Sequence, residues 1–292
     1  MTLQQTRGFT LIELVIVIVI SGILAGIITS FVTQPIQGFI DLSRRATLVY
    51  SAESAMRRMQ RDIRRALPNS IRVAGGGTAI EMINTVEGAR YRSAPPPGDP
   101  DRRFNFNSAD TSFDILGNFS ATTLASPNIK YVAIYNIGSL DSPGVAKAGS
   151  NAYADALAGA NVITPDGYTI TLTDDPVTAN EDNVSINNGG FQFSYESPNN
   201  RMYLIDTAIS YVCSGGELLR YINYDFTGKP TQVVPPVGGT SALMADNIGN
   251  CAFTYDPGSP SRSGLMTLDL TVADGTGESV RLLHQVHVDN VP

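Results

Sequence analysis

The feature that most constrains the fold is a long apolar run near the N-terminus with one carboxylate inside it. Residues 9–32 are almost entirely apolar, and Glu13 is the one charged residue between Arg7 and Asp41. At about 1.5 Å per residue, such a run is long enough to cross a bilayer as a helix. A carboxylate in a membrane span costs on the order of 2.5–3.5 kcal/mol on insertion scales. The sequence therefore predicts a transmembrane helix over residues 9–32 in which Glu13 has a specific purpose.

The flanks of the run favour a retained anchor over a removed secretory signal. The run is too long for a signal peptide, no clear A-x-A cleavage site follows it, and the leader MTLQQTRG before it is short. The charge rule for orientation, applied to Arg7 against Arg44 and Arg45, would place the N-terminus outside the cell. We set that rule aside because Cys213 and Cys251 suit an oxidising compartment. The prediction is a single span in the inner membrane with the C-terminal part in the periplasm.

A cut between Gly8 and Phe9 would explain the carboxylate. It gives Phe9 an amine, and Glu13 then lies four residues further along the helix, on the same face as that amine. An ammonium within reach offsets much of the desolvation penalty of a buried carboxylate. In a packed array, Glu13 could instead reach the amine of a neighbouring chain. A buried polar group that is satisfied by the correct partner sets the register between helices.

The stretch RGFTLIELVIVIVISGILAG resembles the leader and N-terminal helix of type IV pilins and type II secretion pseudopilins. The resemblance implies that a prepilin peptidase cuts after Gly8 and methylates the amine of Phe9. It also implies that Glu13 guides docking onto the N-terminus of an adjacent subunit in the growing filament. Residues 1–8 would then be the cleaved leader.

The pattern beyond the span predicts a second, amphipathic half of the same helix, in the periplasm. Pro35 and Gly38 predict a kink or local melting between the halves. A helical pattern resumes over residues 39–67 and Pro68 ends it. The apolar positions that carry this pattern are spaced by three, four or seven and are Leu42, Val49, Ala52, Met56, Met59, Ile63 and Ala66. We expect this stripe to pack against the chain's own sheet, with a partner-binding seam as the alternative.

Residues 68–292 read as one antiparallel β-rich domain, because hairpins follow one another without the spacing of β-α-β units. The sequence analysis therefore predicts an α+β protein, a long N-terminal helix packed on an antiparallel β-sheet domain. The stretch over residues 146–160 is predicted as a loop or a short helix. The predicted strands are SIRVA (70–74), AIEMI (79–83), KYVAIYN (130–136), YTITLT (168–173) and FQFSY (191–195), with hairpins TAISYVC/LLRYINYDF and GLMTLDLTV/SVRLLHQVHV.

Several stretches of this domain resemble one group within that family. They are DLSRRATLVYSAESAMRRMQRDIRRALPNSIRV, FDILGNF, ISYVCSGGELLRY, LMADNIGNCAFTYD and LLHQVHVDNVP. They resemble the MshO minor pilins of the mannose-sensitive haemagglutinin (MSHA) type IV pilus system and, more distantly, the J-type minor pseudopilins of type II secretion. The resemblance implies a disulfide between Cys213 and Cys251 that clamps the last strands. In an exported domain, one disulfide is also the simplest use of two cysteines.

The charge distribution argues against nucleic acid as a partner. From residue 68 onward the chain has 12 basic and 23 acidic residues, a net charge of −11, and an acidic domain repels phosphate backbones. Residues 39–67 carry +4 instead. This basic stretch could bind phosphate, but a solvated helix face that docks on acidic neighbours is the favoured interpretation. Its arginines are Arg44, Arg45, Arg57, Arg58, Arg61, Arg64 and Arg65.

No motif indicates catalysis or a cofactor, so the prediction is a protein that is not an enzyme. His284 and His287 are three residues apart on a predicted strand and would point to opposite faces, which is wrong for one metal. An acidic loop at residues 173–183 offers weak calcium candidates, although it lacks the EF-hand spacing and a solvated loop is favoured. Those candidates are Asp174, Asp175, Glu181 and Asp182.

The sequence-based hypothesis for function is a minor pilin that helps to form the tip complex which primes filament assembly. The implied partners are other minor and major pilins, the prepilin peptidase, the inner-membrane assembly platform, and the lipid bilayer before assembly. Two alternatives stay open, a tip-displayed adhesive module and a minor pseudopilin of a secretion system. The large domain with long loops permits adhesion, but the chain has no Trp and shows no aromatic cluster for a glycan.

Overall fold

The computed structural model describes residues 8–96, 99, 102–155, 159–175, 177–258, 263–275 and 277–292. The chain divides into two compact units, Met1–Val49 and Tyr50–Pro292. The long helix α1 (Leu11–Arg64) begins in the first unit and ends in the second.

In the first unit, α1 exposes apolar side chains on every side. All of residues 8–47 are exposed, and this part of α1 is long and apolar enough to span a membrane. The helix continues without interruption through Pro35 and Gly38, so of the two predicted alternatives local melting is wrong and a kink stays a prediction. A proline removes one backbone hydrogen bond, and the flanking turns keep theirs. Hydroxyl groups are satisfied within the helix, as when Thr29 Oγ1 donates to the carbonyl of Ala25 at 2.8 Å.

In the second unit, α1 buries one stripe. Its buried residues recur at helical spacing and are Ala52, Ala55, Met56, Met59, Asp62 and Ile63. The helix ends at Arg64, before the predicted Leu67. The reason is that the chain turns into sheet pairing: Ala66 forms an antiparallel bridge with Asn84, and Leu67 N donates to the carbonyl of Ile83 at 2.8 Å.

The remainder of the second unit is built mainly from strands, with a 3-10 turn at Gly75–Gly77 and a one-turn helix α2 (Ala121–Leu124). The strands are β1 (Arg72–Ala74), β2 (Ala79–Arg90), β3 (Ser112–Asp114), β4 (Tyr131–Ala133), β5 (Leu140–Ser142), β6 (Val145–Ala146), β7 (Ala160–Asn161), β8 (Ile170–Asp174), β9 (Asp182–Ile186), β10 (Gln192–Phe193), β11 (Arg201–Ser214), β12 (Glu217–Ile222), β13 (Thr240–Ala245), β14 (Ile248–Asp256), β15 (Gly264–Ala273) and β16 (Ser279–Val288).

The strands form two principal sheets and three small ones. The main sheet has the order β1-β2-β11-β12-β13, with β4 also paired to β11, and the second has the order β14-β15-β16. A smaller sheet has the order β3-β9-β8, and two-residue pairings join β5 to β6 and β7 to β10. All pairings are antiparallel except β7 with β10. The predicted α+β class with antiparallel sheets is confirmed, and the parallel pair is the one local departure among the described strands.

Turn chemistry fixes the register of the central hairpin. β11 and β12 are joined through Gly215 and Gly216, and Ser214 pairs with Glu217. Both glycines have positive φ, 61° and 82°, which a two-residue hairpin of this type requires and which L-residues with side chains resist. The dipeptide therefore marks the predicted hairpin, and the two strands pair as expected.

Three clusters of buried side chains stabilise the second unit. The first joins Met56, Met59 and Ile63 of α1 to both principal sheets, for example to Tyr211 on β11 and Met266 on β15. The second is aromatic and packs under the sheet β3-β9-β8. The third lies around Tyr153 and Phe226. From Ala52 onward the stripe of α1 thus packs on the chain's own sheets, as predicted, instead of remaining a free seam, whereas Leu42, the first predicted stripe residue, is exposed.

Residues 146–160 contain turns and strand ends rather than a helix in their described part. Buried amide side chains hold this segment, since Asn151 Nδ2 donates to the carbonyl of Ser139 at 3.1 Å. Asn161 Nδ2 likewise donates to the carbonyl of Ala154 at 2.9 Å. These bonds satisfy the polar backbone groups that a regular element would otherwise satisfy.

Candidate functional site

The predicted cleavage position lies in exposed, non-helical backbone at the start of the first unit. Gly8, Phe9 and Thr10 precede the helix, and the Phe9 side chain is 82% exposed. Apart from its two neighbours in the chain, no described residue has an atom within 4 Å of where a Cβ would stand on Gly8. Gly8 and Phe9 are thus exposed, while the rest of the predicted leader, residues 1–7, lies outside the described residues. Cleavage and methylation stay predictions.

Glu13 closes the first turn of α1 together with Thr10. The Glu13 N–H lies 3.4 Å from Thr10 Oγ1, and Glu13 Oε2 lies 3.5 Å from the Thr10 N and 3.4 Å from Thr10 Oγ1. This reciprocal arrangement is a capping box, which satisfies backbone donors that have no partner inside the helix. The sequence carries this signal as the pattern Thr10-Leu11-Ile12-Glu13, a threonine followed three residues later by a glutamate.

The surroundings of Glu13 leave this carboxylate exposed on an apolar surface, and its role in docking stays a prediction. The first turns of the helix present an apolar surface with one negative charge. Its exposed apolar residues are Leu11, Ile12 and Leu14, at 81%, 67% and 57% exposure. Within the part of the chain that the structure describes, the carboxylate contacts Thr10 alone, at long distances. It therefore keeps acceptor capacity for a cation brought by another molecule.

Cys213 and Cys251 form a disulfide, with an S–S distance of 2.08 Å. Cys213 is on β11 of the main sheet and Cys251 is on β14 of the second sheet. The bond therefore links the two principal sheets directly. Cys251 is buried in the cluster that also holds Met56 and Met59, and Cys213 packs against it.

The calcium candidates do not converge on one site. Asp174 is exposed, whereas Asp175, Glu181 and Asp182 are buried, so the favoured picture of a solvated loop is wrong for these three. Within the described residues, no group of three or more His, Cys, Asp or Glu side chains is arranged to hold a metal ion.

Arginine and backbone N–H groups satisfy these buried carboxylates. Arg92 forms a two-pronged ion pair with Glu181. Asp182 accepts a hydrogen bond from the Phe119 N–H at 2.7 Å, and Asp175 pairs with Arg102 at 2.9 Å. Burial by itself would raise the pKa of Asp175, but N–H donors from Thr178 and Val177 together with Arg102 lower it overall. The sequence could not show this, because the arginines lie about 70 to 90 residues away from their partners.

The two histidines take separate roles on β16. His284 faces α1, where its Nδ1 lies 2.6 Å from Gln60 Nε2. His287 is exposed. They therefore lie on opposite faces of the strand, as the spacing predicted, and do not form a metal pair.

Comparison with known proteins gives a family match in the N-terminal part of the chain. Residues 3–29 match the family model of the prokaryotic N-terminal methylation motif. No curated protein and no solved structure gives a significant match to the chain. The motif indicates a type IV pilin-like prepilin, a kind of membrane-anchored structural protein that a prepilin peptidase processes and that assembles with other pilins.

Proposed function

We propose that this chain is a minor pilin of an MSHA-type type IV pilus, of the MshO type. In this proposal a prepilin peptidase cuts between Gly8 and Phe9 and methylates the Phe9 amine. The apolar half of α1 then holds the protein in the inner membrane, with the β-rich unit in the periplasm. From there it joins other minor pilins in the tip complex that primes filament assembly.

The observation that carries the proposal is Glu13, a lone carboxylate in the first turn of an exposed apolar helix that matches the methylation motif. In lipid this charge is unfavourable. In a filament, the new amine of a neighbouring Phe9 can pair with the Glu13 carboxylate in apolar surroundings. This pair can form only when the two helices are in the correct register. The capping box with Thr10 holds the carboxylate at the end of the helix that must meet the neighbour.

A clean deletion of this chain in its host, scored in two ways, tests the role in assembly. Filaments per cell are counted by electron microscopy, and attachment of cells to a surface is measured in parallel. Loss of filaments that the wild-type chain restores supports the proposed role. Normal filaments with failed attachment would contradict it and would make the loops of the β-rich unit an adhesive site.

Glu13→Ala tests the docking step. We expect the variant to be inserted and processed normally, but its recovery in sheared filaments to fall by at least about tenfold, since the neighbour's amine loses its buried partner. Immunoblots of the membrane and sheared fractions measure both quantities. Asp41→Ala, which removes the next carboxylate along α1, is the matched control and should be incorporated normally.

Glu13→Gln separates docking from helix capping. Glutamine can still complete a capping box, but it carries no charge for an amine. We expect Glu13→Gln to behave like Glu13→Ala. Normal incorporation of either variant would refute the pairing of Glu13 with a neighbouring N-terminus.

A further inference from the structure

The outer side of α1 in the second unit is a basic surface with few partners of its own. Arg57, Arg61 and Arg64, called here the arginine face, are exposed, and so is Arg65 just beyond the helix end. The arginine face lies on the side of the helix opposite Met59 and its buried neighbours, because spacings of four and three fall on one face. Such a strongly charged surface is available for an external partner.

Few acidic groups of this chain neutralise that face. Arg57 pairs with Glu53, one turn earlier on the same helix. Among the described residues, the side chains of Arg61, Arg64 and Arg65 make no ion pair. Two further arginines lie near the buried stripe, Arg58 and Arg220. Both pair with Asp62 of the same chain. The face therefore keeps a net positive charge.

The same unit carries an acidic surface where three strand connections meet. Ile248 N donates to the carbonyl of Gly216 at 2.8 Å, and Ala273 N donates to the carbonyl of Asn247 at 2.8 Å. These bonds bring together the turns β11–β12, β13–β14 and β15–β16. The turns contain no Lys or Arg, and their acidic residues, called here the acidic end, are Glu217, Asp246, Asp274 and Glu278.

The acidic end is firmly held. Cys213 lies at the end of β11 next to the first of these turns, and its disulfide to Cys251 ties that hairpin to β14. Glu217 and Asp246 are exposed at the tips. A surface whose backbone is fixed loses little conformational entropy when it binds, which favours a specific contact over a diffuse one.

The geometry points to a head-to-tail contact between copies of this chain, in which the arginine face of one docks on the acidic end of the next. The two surfaces have opposite charge and lie on different parts of one unit. The contact is therefore heterologous and can propagate along an assembly. It goes beyond the proposed function, which requires Glu13 but no particular contact between β-rich units.

Charge complementarity favours a second copy over the other occupants of a basic surface. Residues 68–292 carry a net charge of −11, which at long range repels an anionic membrane, a nucleic acid and a second copy alike. What a second copy adds is a fixed acidic end that complements the arginine face at short range. Attraction between such surfaces raises the association rate and selects the partner.

Charge swapping in the mature full-length chain, held in non-ionic detergent, tests the contact by sedimentation. The wild type should self-associate at about 50 mM salt, with a Kd weakened at least about tenfold at about 500 mM, because salt screens exposed charges. Arg61→Glu with Arg64→Glu should weaken it at least about tenfold, and so should Glu217→Lys with Asp246→Lys. A mixture of the two variants, or one chain with all four changes, should associate again.

A matched control changes net charge by the same amount elsewhere. Lys130 and Lys147 are exposed, and Lys130→Glu with Lys147→Glu should leave self-association unchanged. Circular dichroism melting of every variant excludes loss of the fold as the cause. Rescue by the mixture is the decisive result, since general destabilisation cannot produce it.

Three outcomes would overturn the contact. They are absence of self-association, association that neither salt nor charge reversal alters, and reversals that weaken binding to anionic-lipid vesicles while self-association persists. The second outcome would place the association in the apolar half of α1. In each case normal, Glu13-dependent entry into filaments would leave the proposed function standing.

Discussion

The two parts of α1 present one helix in opposite physical situations. Residues 11–47 are exposed on every side, and Glu13 is the one charged residue up to residue 40. Residues 50–64 alternate between a buried stripe and an arginine-rich outer face. An exposed apolar helix has to be covered by material outside the chain, which under the proposed function is lipid at first and neighbouring helices later. The amphipathic part is instead covered by the chain's own sheets.

The carboxylates of the two parts show the same contrast. Asp62 accepts hydrogen bonds from Tyr211 Oη at 2.7 Å and from Arg220 Nε at 2.8 Å, so its partners are permanent. Glu13 has Thr10 and spare acceptor capacity. Changes near Asp62 should therefore alter the stability of the second unit, while changes near Glu13 should alter assembly and leave that stability unchanged.

Removal of the disulfide should give the largest stability difference between the two units. Cys213→Ser with Cys251→Ser opens a loop with a sequence separation of 38. In the chain-entropy model this loss destabilises by about 4 kcal/mol. Denaturant titration followed by Tyr fluorescence should show that loss in the β-rich unit. The helical circular dichroism of the apolar part in detergent should persist, because it contains neither cysteine.

The bond itself is checked by mass spectrometry of native material alkylated without reduction. The two cysteines should stay unmodified. Two alkylated thiols would contradict the disulfide, and equal loss of the helical and β signals in the double variant would contradict the independence of the units.

A pair of matched truncations compares the two parts of α1 directly. Met59 is fully buried, and Met59→Ala should destabilise the second unit by about 3 kcal/mol through lost burial and a residual cavity. Ile20 is 51% exposed in the first unit, so Ile20→Ala should change that free energy of unfolding by less than about 0.5 kcal/mol. A comparable loss in both variants would show that the apolar part is packed against the chain.

Asp62→Asn should destabilise the second unit by about 2 kcal/mol, since hydrogen bonds to charged groups contribute about 1.5–3 kcal/mol and Arg220 is left without its nearest carboxylate. Tyr211→Phe, which removes one donor and keeps the charge pair, is the control and should cost about 1 kcal/mol. Denaturant unfolding measures both. An effect of Asp62→Asn on filament incorporation with unchanged stability would break the distinction between the two carboxylates.

The sequence predicted those parts of the fold that depend on local pattern. The apolar run, the helical spacing around Met59 and the Gly215-Gly216 turn each depend on neighbouring residues, and each prediction agrees with the structure. The helix end was placed three residues too late, because Ala66 is taken into a bridge with Asn84. Nothing in the local sequence around Pro68 signals that pairing.

The sequence failed where distant residues decide the environment. The loop at residues 173–183 reads as solvated by composition, yet two of its carboxylates are buried and pair with arginines far away in sequence, Glu181 with Arg92 and Asp175 with Arg102. The acidic end is likewise invisible, because its turns meet through backbone bonds between separate hairpins. The candidate site depends on local sequence instead, since Gly8, Phe9, Thr10 and Glu13 lie within six residues and inside the matched motif, and the roles predicted for them stay predictions.

Substitution of Asp175 is expected to give the smallest change in the free energy of unfolding among these tests, and the most specific one. Its carboxylate accepts N–H bonds from Thr178 at 2.6 Å and Val177 at 3.3 Å and pairs with Arg102. Despite burial, which raises it, the pKa of Asp175 is held below its ordinary value of 3.8 by these donors. The ionised group therefore contributes stability that is present above about pH 4 and is lost as the pH falls through the folded-state pKa.

Asp175→Asn should accordingly destabilise the second unit by about 1 kcal/mol at pH 7. The difference from wild type should shrink below about pH 4, where the wild-type group loses its charge as well. Asp174→Asn is the matched control, because Asp174 is adjacent and exposed and should have little effect at either pH. A constant difference between pH 3 and pH 7 would mean that the shape of the Asp175 side chain, rather than its charge, stabilises the loop. That result would also weaken the contrast with Glu13, whose charge should matter when a neighbouring chain arrives.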